Sequence, residues 1–134
     1  MDSHLQNVAL AAMHAAERGT LTFPEIVAKL AEAGFEGYAI DYRRETATYY
    51  RPDDDSVQFE THHTPTPVAA AFDAAALTAA IREAQTLAPG YTYKGFCAKA
   101  KAAGCAGYLV SFLGRRAAYF GRTGETHVEL FPPA

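Results

Sequence analysis

Residues 22–50 read TFPEIVAKLAEAGFEGYAIDYRRETATYY, and residues 92–120, seventy positions further on, read TYKGFCAKAKAAGCAGYLVSFLGRRAAYF. Nine of the twenty-nine positions are identical without a gap: Thr22, Ala28, Lys29, Ala33, Gly34, Gly37, Tyr38, Ala47 and Tyr49. Most of the others exchange one apolar residue for another. In each copy a threonine opens an amphipathic stretch, a glycine closes it, and Gly-x-x-Gly-Tyr leads into alternating aromatic and small residues.

Physical chemistry turns that pattern into elements. Thr22-Phe23-Pro24-Glu25 is a capping box, with Pro24 where no helical donor is needed. Ile26, Val27, Leu30 and Ala33 form the buried stripe of the helix it opens, and Gly34 supplies the left-handed residue that ends it, with Phe35 folding back in a Schellman motif. In the second copy Phe96, Cys97, Ala100 and Ala103 repeat the stripe and Gly104 repeats the stop, while Gly95 stands where the capping-box glutamate stood.

After each stop the period becomes two. A two-residue turn at Arg44-Glu45 would set Tyr42 opposite Ala47 and Ile40 opposite Tyr49. Tyr38, Ile40, Tyr42, Ala47 and Tyr49 then share one face, as do Tyr108, Val110, Phe112, Ala117 and Tyr119. The opposite face carries Ala39, Asp41, Thr48 and Tyr50 in one half and Leu109, Ser111, Ala118 and Phe120 in the other. The latter set is too apolar for a simply solvated surface. A third strand follows each pair. If one residue is inserted in the second copy, Val57 and Phe59 match Val128 and Leu130.

An amphipathic helix precedes each copy. Leu5, Val8, Ala9, Ala12, Met13 and Ala16 stripe the first, which ends near Gly19; Ala76, Leu77, Ala80, Ile81 and Ala84 stripe the other, over about 72–85 with Asp73 as cap. Thr61-His62-His63-Thr64-Pro65-Thr66-Pro67 is an extended connector. The expected architecture is α+β: a tandem duplication of an α-α-β-β-β unit, repeats at about 1–60 and 71–134 joined by residues 61–70. One or more antiparallel sheets carry helices on one side about a pseudo-twofold axis, forming one domain.

The totals bound the function. At 134 residues and 49% hydrophobic content the chain can bury one proper core. A net charge of −3 argues against nucleic acid as the main partner. No apolar run approaches the roughly 20 residues a membrane span needs, and Met1-Asp2-Ser3-His4 has no signal-peptide character, so a cytoplasmic protein is expected. Cys97 and Cys105 lie eight apart, mostly along a helix, about 12 Å at 1.5 Å per residue. That exceeds disulfide reach, and both are read as buried thiols.

The run Gly104-Cys105-Ala106-Gly107-Tyr108, Gly114-Arg115-Arg116, the stretch from Tyr119 to Glu129 and Phe131-Pro132 resemble a small bacterial family of unknown function. Its members are often labelled phage envelope-like proteins. Thr22-Phe23-Pro24-Glu25, Ala33-Gly34, Asp41-Tyr42, Thr48-Tyr49-Tyr50 and Phe72-Asp73 fit the same family. The resemblance implies no activity, cofactor or catalytic residue, and the composition reads as a globular domain rather than an envelope component.

Candidate chemistry is sought where the second copy departs from the first. His127 and Glu129 share a strand face and suit a general base with a carboxylate partner. Arg115, Arg116 and Arg122, at hairpin ends like Arg43, Arg44 and Arg51, could hold a small anionic ligand. Tyr49 and Tyr119 could line a cleft for an aromatic one. Whether His62, His63 and His127 converge is open from sequence, and no compact metal-ligand spacing is present, so neither metal nor cofactor is expected. Asp53-Asp54-Asp55 lacks the pattern of a calcium loop. P-loop, dinucleotide, nucleophile-elbow and zinc-protease motifs are absent.

Three readings follow. The leading one is a non-enzymatic binding or regulatory module with a small ligand or protein partner. The second is a small hydrolase or isomerase using His127 and Glu129 with Arg116 or Arg122. The third is a homodimer formed through the Leu109 and Phe120 face.

Overall fold

The structure is a computed structural model, and it describes residues 1–132. The capping residues place the helices. Asp2 accepts from the Leu5 amide to start α1 (Ser3–Arg18), which Gly19 ends in the left-handed conformation. The Thr22–Glu25 capping box opens α2 (Phe23–Glu32). Gly34 donates to the Ala31 carbonyl and Phe35 to that of Leu30, the two bonds of a Schellman stop. Asp73 caps α3 (Ala74–Thr86), which therefore starts two residues later than the expected bound near Phe72. Thr92 caps α4 (Tyr93–Ala102) by accepting from Gly95, without a returning carboxylate.

Six strands form one antiparallel sheet: β1 (Gly37–Asp41), β2 (Thr46–Tyr50), β3 (Ser56–Glu60), β4 (Cys105–Ser111), β5 (Arg116–Gly121) and β6 (Thr126–Leu130), in the order β3-β2-β1-β4-β5-β6. The seam is β1 against β4, where Tyr38 pairs Val110 and Ile40 pairs Tyr108. Gly107 is obligatory here. A Cβ at this position would strike the Ile40 carbonyl and lie 2.8 Å from the ring of Phe120, its cross-strand partner on the open face.

Tyr38, Ile40, Ala47, Tyr49, Tyr108, Val110, Ala117 and Tyr119 point to one face and share a single core with Ala9, Met13, Leu30, Leu77, Ile81, Phe96 and Ala100 of the four helices. Among the described residues no helix covers the other face, and Tyr50, Leu109, Phe120, Val128 and Leu130 are exposed there. α1 packs on α2 and on α4, and α4 on α3.

Two expectations are corrected. The β1–β2 turn is four residues, Tyr42 to Glu45, and Ile40 pairs Ala47 while Tyr38 pairs Tyr49. The Asp41 carboxylate accepts from the amides of Arg43 and Arg44, and Glu45 adopts φ 55°, so a polar side chain closes a turn that has no glycine for a two-residue one. Because the register moves by two, the face assignments survive. The third strand of the second half has no inserted residue. Tyr119 pairs His127 and Ala117 pairs Glu129, as Tyr49 pairs Val57 and Ala47 pairs Phe59. His127 and Glu129 therefore lie on the helix-covered face, and Val128 and Leu130 on the open one.

Candidate functional site

The strand register brings His127 and Glu129 against the helix layer, half-buried. His127 Nε2 is 3.6 Å from a Glu129 oxygen, and the other Glu129 oxygen pairs with Arg82 of α3. The arginine beside the carboxylate is thus Arg82, neither Arg116 nor Arg122. His127 Nε2 is buried without a hydrogen-bond partner, and its ring lies 6.4 Å from that of Tyr119.

The remaining candidates do not meet. Tyr49 and Tyr119 are core residues, each raised above the ordinary tyrosine pKa by burial. Arg115 lies over the Phe131 ring and Arg116 bonds the Gly114 carbonyl at one end of β5, while Arg122 bonds the Val68 carbonyl past the other end. His63 pairs with Glu45 and His62 with Glu17, while His127 lies 3.6 Å from Glu129, so the three imidazoles sit beside three different carboxylates. Among the described residues no group of three His, Cys, Asp or Glu is placed to hold a metal.

A second polar cluster lies where the connector crosses the core. Glu17, in the last turn of α1, accepts through one oxygen from the His62 amide at 2.8 Å and pairs with His62 Nδ1 at 2.9 Å. With Nδ1 held by the carboxylate, the free lone pair of the neutral ring is on Nε2, which is buried and unpartnered. The Tyr42 hydroxyl is likewise buried without a partner, its residue 6% exposed. Lys101 of α4 is 5% exposed and donates to the Thr64 carbonyl at 3.0 Å. Tyr93 and Tyr108 share a hydroxyl bond of 2.7 Å, and His62 packs edge-on against Tyr93.

Tyr42, Glu45, His62, Tyr93, Cys97 and Lys101 are among the residues lining a cavity of about 10 Å³, room for one water-sized molecule. Burial pushes the Cys97 thiol up to about 11, while the nearby hydroxyls of Tyr42 and Tyr93 and the Lys101 ammonium pull the other way. The His63 imidazole and the Thr64 amide hold Glu45 below its ordinary pKa. A larger hollow of about 130 Å³ lies between α3 and α4, beside Glu83, Tyr91 and Lys99.

Sequence reasoning passed over Glu17, Tyr42, Tyr93 and Lys101 as site residues and read Cys97 as filler. The signal was present in the seventy-residue comparison. Tyr42, Tyr93, Cys97 and Lys101 stand opposite Phe112, Phe23, Val27 and Ala31, so one side carries polar groups where the other is apolar.

A family model described as Protein of unknown function (DUF1398) matches residues 11–129. The chain belongs to this family. The DUF1398 match begins midway along α1 and runs to Glu129, so it takes in both polar clusters and the whole sheet except its last residue. No curated protein matches the chain. Among the described residues no helix is long and apolar enough to cross a membrane.

Proposed function

We propose that the chain is a non-enzymatic binding module whose recognition surface is the open face of the sheet. The observation that carries this is the set Leu109, Phe120, Val128 and Leu130, which register places together on one face with Ala118 between them and which is left exposed beyond the helix layer. Tyr38, Tyr49, Tyr108 and Tyr119 are packed into the core, which argues for a protein partner over an aromatic ligand held between the halves.

Area and charge narrow the occupant. Six short strands present a face of roughly 400 Å², against about 800 Å² per partner in a standard stable interface. A second copy stacked face to face would thus be held weakly. The apolar residues belong to β4, β5 and β6, and Arg116 lies on the same face beside Leu130. A short segment of another protein, with an apolar stripe and an acidic flank, fits both. Two buried free thiols suit a reducing cytoplasmic setting.

A photo-cross-linking side chain at Val128 tests the reading, with exposed Ala11 on α1 as control. Adducts to another protein confined to position 128 are expected. Equal adducts at both positions would remove the open face from the account, and adducts only to a second copy would replace the partner by a homodimer.

We further propose that two α-α-β-β-β units, about 1–60 and 71–134, arose by tandem duplication. The support is the symmetric strand order, the equivalent register of the outer strands and the nine identities seventy residues apart.

A second reading is a small hydrolase or isomerase centred on His127. It is favoured by the unpartnered Nε2 beside Glu129 and Arg82. Turnover of small ester, amide or phosphoester probes that His127→Ala abolishes would support it; identical turnover in that variant would end it.

A further inference from the structure

We propose that the outer edge of β6 pairs with β6 of a second copy about a twofold axis through Val128, joining the two sheets into one. The ladder fixes which backbone groups are available. At the two ends of the β5–β6 pair, Gly121 donates to the Glu125 carbonyl and Phe131 to that of Arg115. Hydrogen-bonded pairs alternate along an antiparallel ladder, so Glu125, His127, Glu129 and Phe131 turn their backbone groups toward β5. Thr126, Val128 and Leu130 turn theirs outward, where among the described residues neither a further strand nor a backbone hydrogen bond meets them.

This edge is complementary to itself. With the axis at Val128, Thr126 faces Leu130 of the second copy and Val128 faces its own counterpart, so each outward amide meets a carbonyl. On the helix-covered side the same register sets His127, whose Nε2 has no partner, opposite the Glu129 carboxylate of the second copy, and does so twice. An inward-pointing carboxylate ordinarily guards an edge against pairing, but Arg82 of the same chain neutralises this one. On the open side the exposed Val128 side chains meet across the axis and Leu130 covers Thr126.

The opposite edge, β3, offers no such surface. The bonds from Arg51 to the Asp55 carbonyl and from Thr61 to that of Glu45 put Ser56, Gln58 and Glu60 at its outward positions. Their side chains lie on the open face, where Gln58 is taken up by Thr48, so pairing there gains no apolar contact on that face. The β6 pairing does not depend on what the open face binds, and it leaves that face uncovered on both copies, side by side. A cross-linking side chain at Val128 would then mark the second copy as well as another protein. Two five-residue strands bury far less than the about 800 Å² per partner of a standard stable interface, so the dimer is concentration-dependent.

The experiment follows the mass of the full chain by sedimentation across a dilution series, with residue-resolved amide exchange at the two extremes. A shift from one chain toward two is expected as concentration rises from about 10 µM to about 1 mM, the span of weak contacts. Over that range exchange at Thr126, Val128 and Leu130 should slow roughly tenfold, while His127 and Glu129, already bonded to β5, change little. Val128→Pro removes an outward amide that the fold itself does not use and should return the protein to a single chain without unfolding it. Leu109→Lys/Phe120→Lys changes the open face but no edge amide and should still dimerise, so loss of partner capture and loss of self-pairing are separable. A single-chain mass at about 1 mM, growth beyond two copies, or a dimer whose amides at 126, 128 and 130 exchange as fast as in the single chain would each overturn the proposal, even if Val128→Pro fails to fold.

Discussion

Tyr119 and His127 face each other across β5 and β6 in the register that Tyr49 and Val57 take across β2 and β3. An imidazole thus occupies, under the helix layer, a slot that a valine fills in the first half. Its Nε2 has no partner and Glu129 relies on Arg82. A residue kept at a site better suited to an apolar side chain is where stability and function trade against each other.

His127→Val should therefore leave stability unchanged or raise it by about 1 kcal/mol, since an unsatisfied buried polar atom is removed. Arg82→Ala should lower it by up to about 1 kcal/mol, the range of partly exposed ion pairs. Urea unfolding of both variants checks this. A loss of more than 2 kcal/mol in His127→Val would mean the ring holds the edge strand in place.

The thiols set a pH limit. Cys97 and Cys105 are raised from 9 to about 11, chiefly by burial. Between those values the folded chain holds more protons than the unfolded one, so the stabilising contribution is complete below pH 9 and is lost as pH rises through 11. A two-unit shift corresponds to about 2–3 kcal/mol per thiol. Stability should fall between pH 9 and 11, and the fall should be shallower in Cys97→Ala once its lower starting stability is subtracted. The buried tyrosines act in the same direction from their unfolded value of 10 upward, so the comparison with Cys97→Ala is cleanest between pH 9 and 10.

Lys101 links the connector to α4 from both of its ends: Nζ bonds the Thr64 carbonyl, and its own carbonyl accepts from Ala69. Replacing a buried cation with an apolar side chain of like length removes its desolvation cost. Lys101→Met should be neutral or stabilising by about 1 kcal/mol, whereas Lys101→Ala, which leaves a void, should cost about 2 kcal/mol or more. Amide exchange at Ala69 should stay slow in Lys101→Met and quicken in Lys101→Ala. Matching exchange and stability in the two variants would show that Lys101 matters for neither charge nor volume.

Caps, stops and inward faces were legible in the sequence because each depends on a few neighbouring residues. The Thr22–Glu25 box, the Gly34 stop and the Tyr38–Tyr49 face all came from local spacing. What was hidden needed a side chain to act across the backbone. Asp41 closes a four-residue turn that composition alone does not announce, and the pairing of β6 with β5, not that turn, decides which face the last strand presents. With one inserted residue Val128 and Leu130 would match the inward Val57 and Phe59; the observed register has no insertion, so His127 and Glu129 take the inward positions instead. The cluster of Glu17, His62 and Cys97 joins α1, the connector and α4, and sequence distance gives no hint of that meeting. Only the polar-for-apolar exchanges between the halves pointed to it.

The most direct test of the binding reading compares the wild-type chain with Leu109→Lys/Phe120→Lys in affinity capture from cell extract, beside thermal unfolding of both. Both side chains are about 40% exposed, 44% and 40%, on a face the core does not use, so the double variant should unfold within about 3 °C of wild type. The expected result is a partner retained by the wild type and lost by the variant at equal stability. The same proteins held equally by both, with the variant fully folded, would contradict the open face as the working surface.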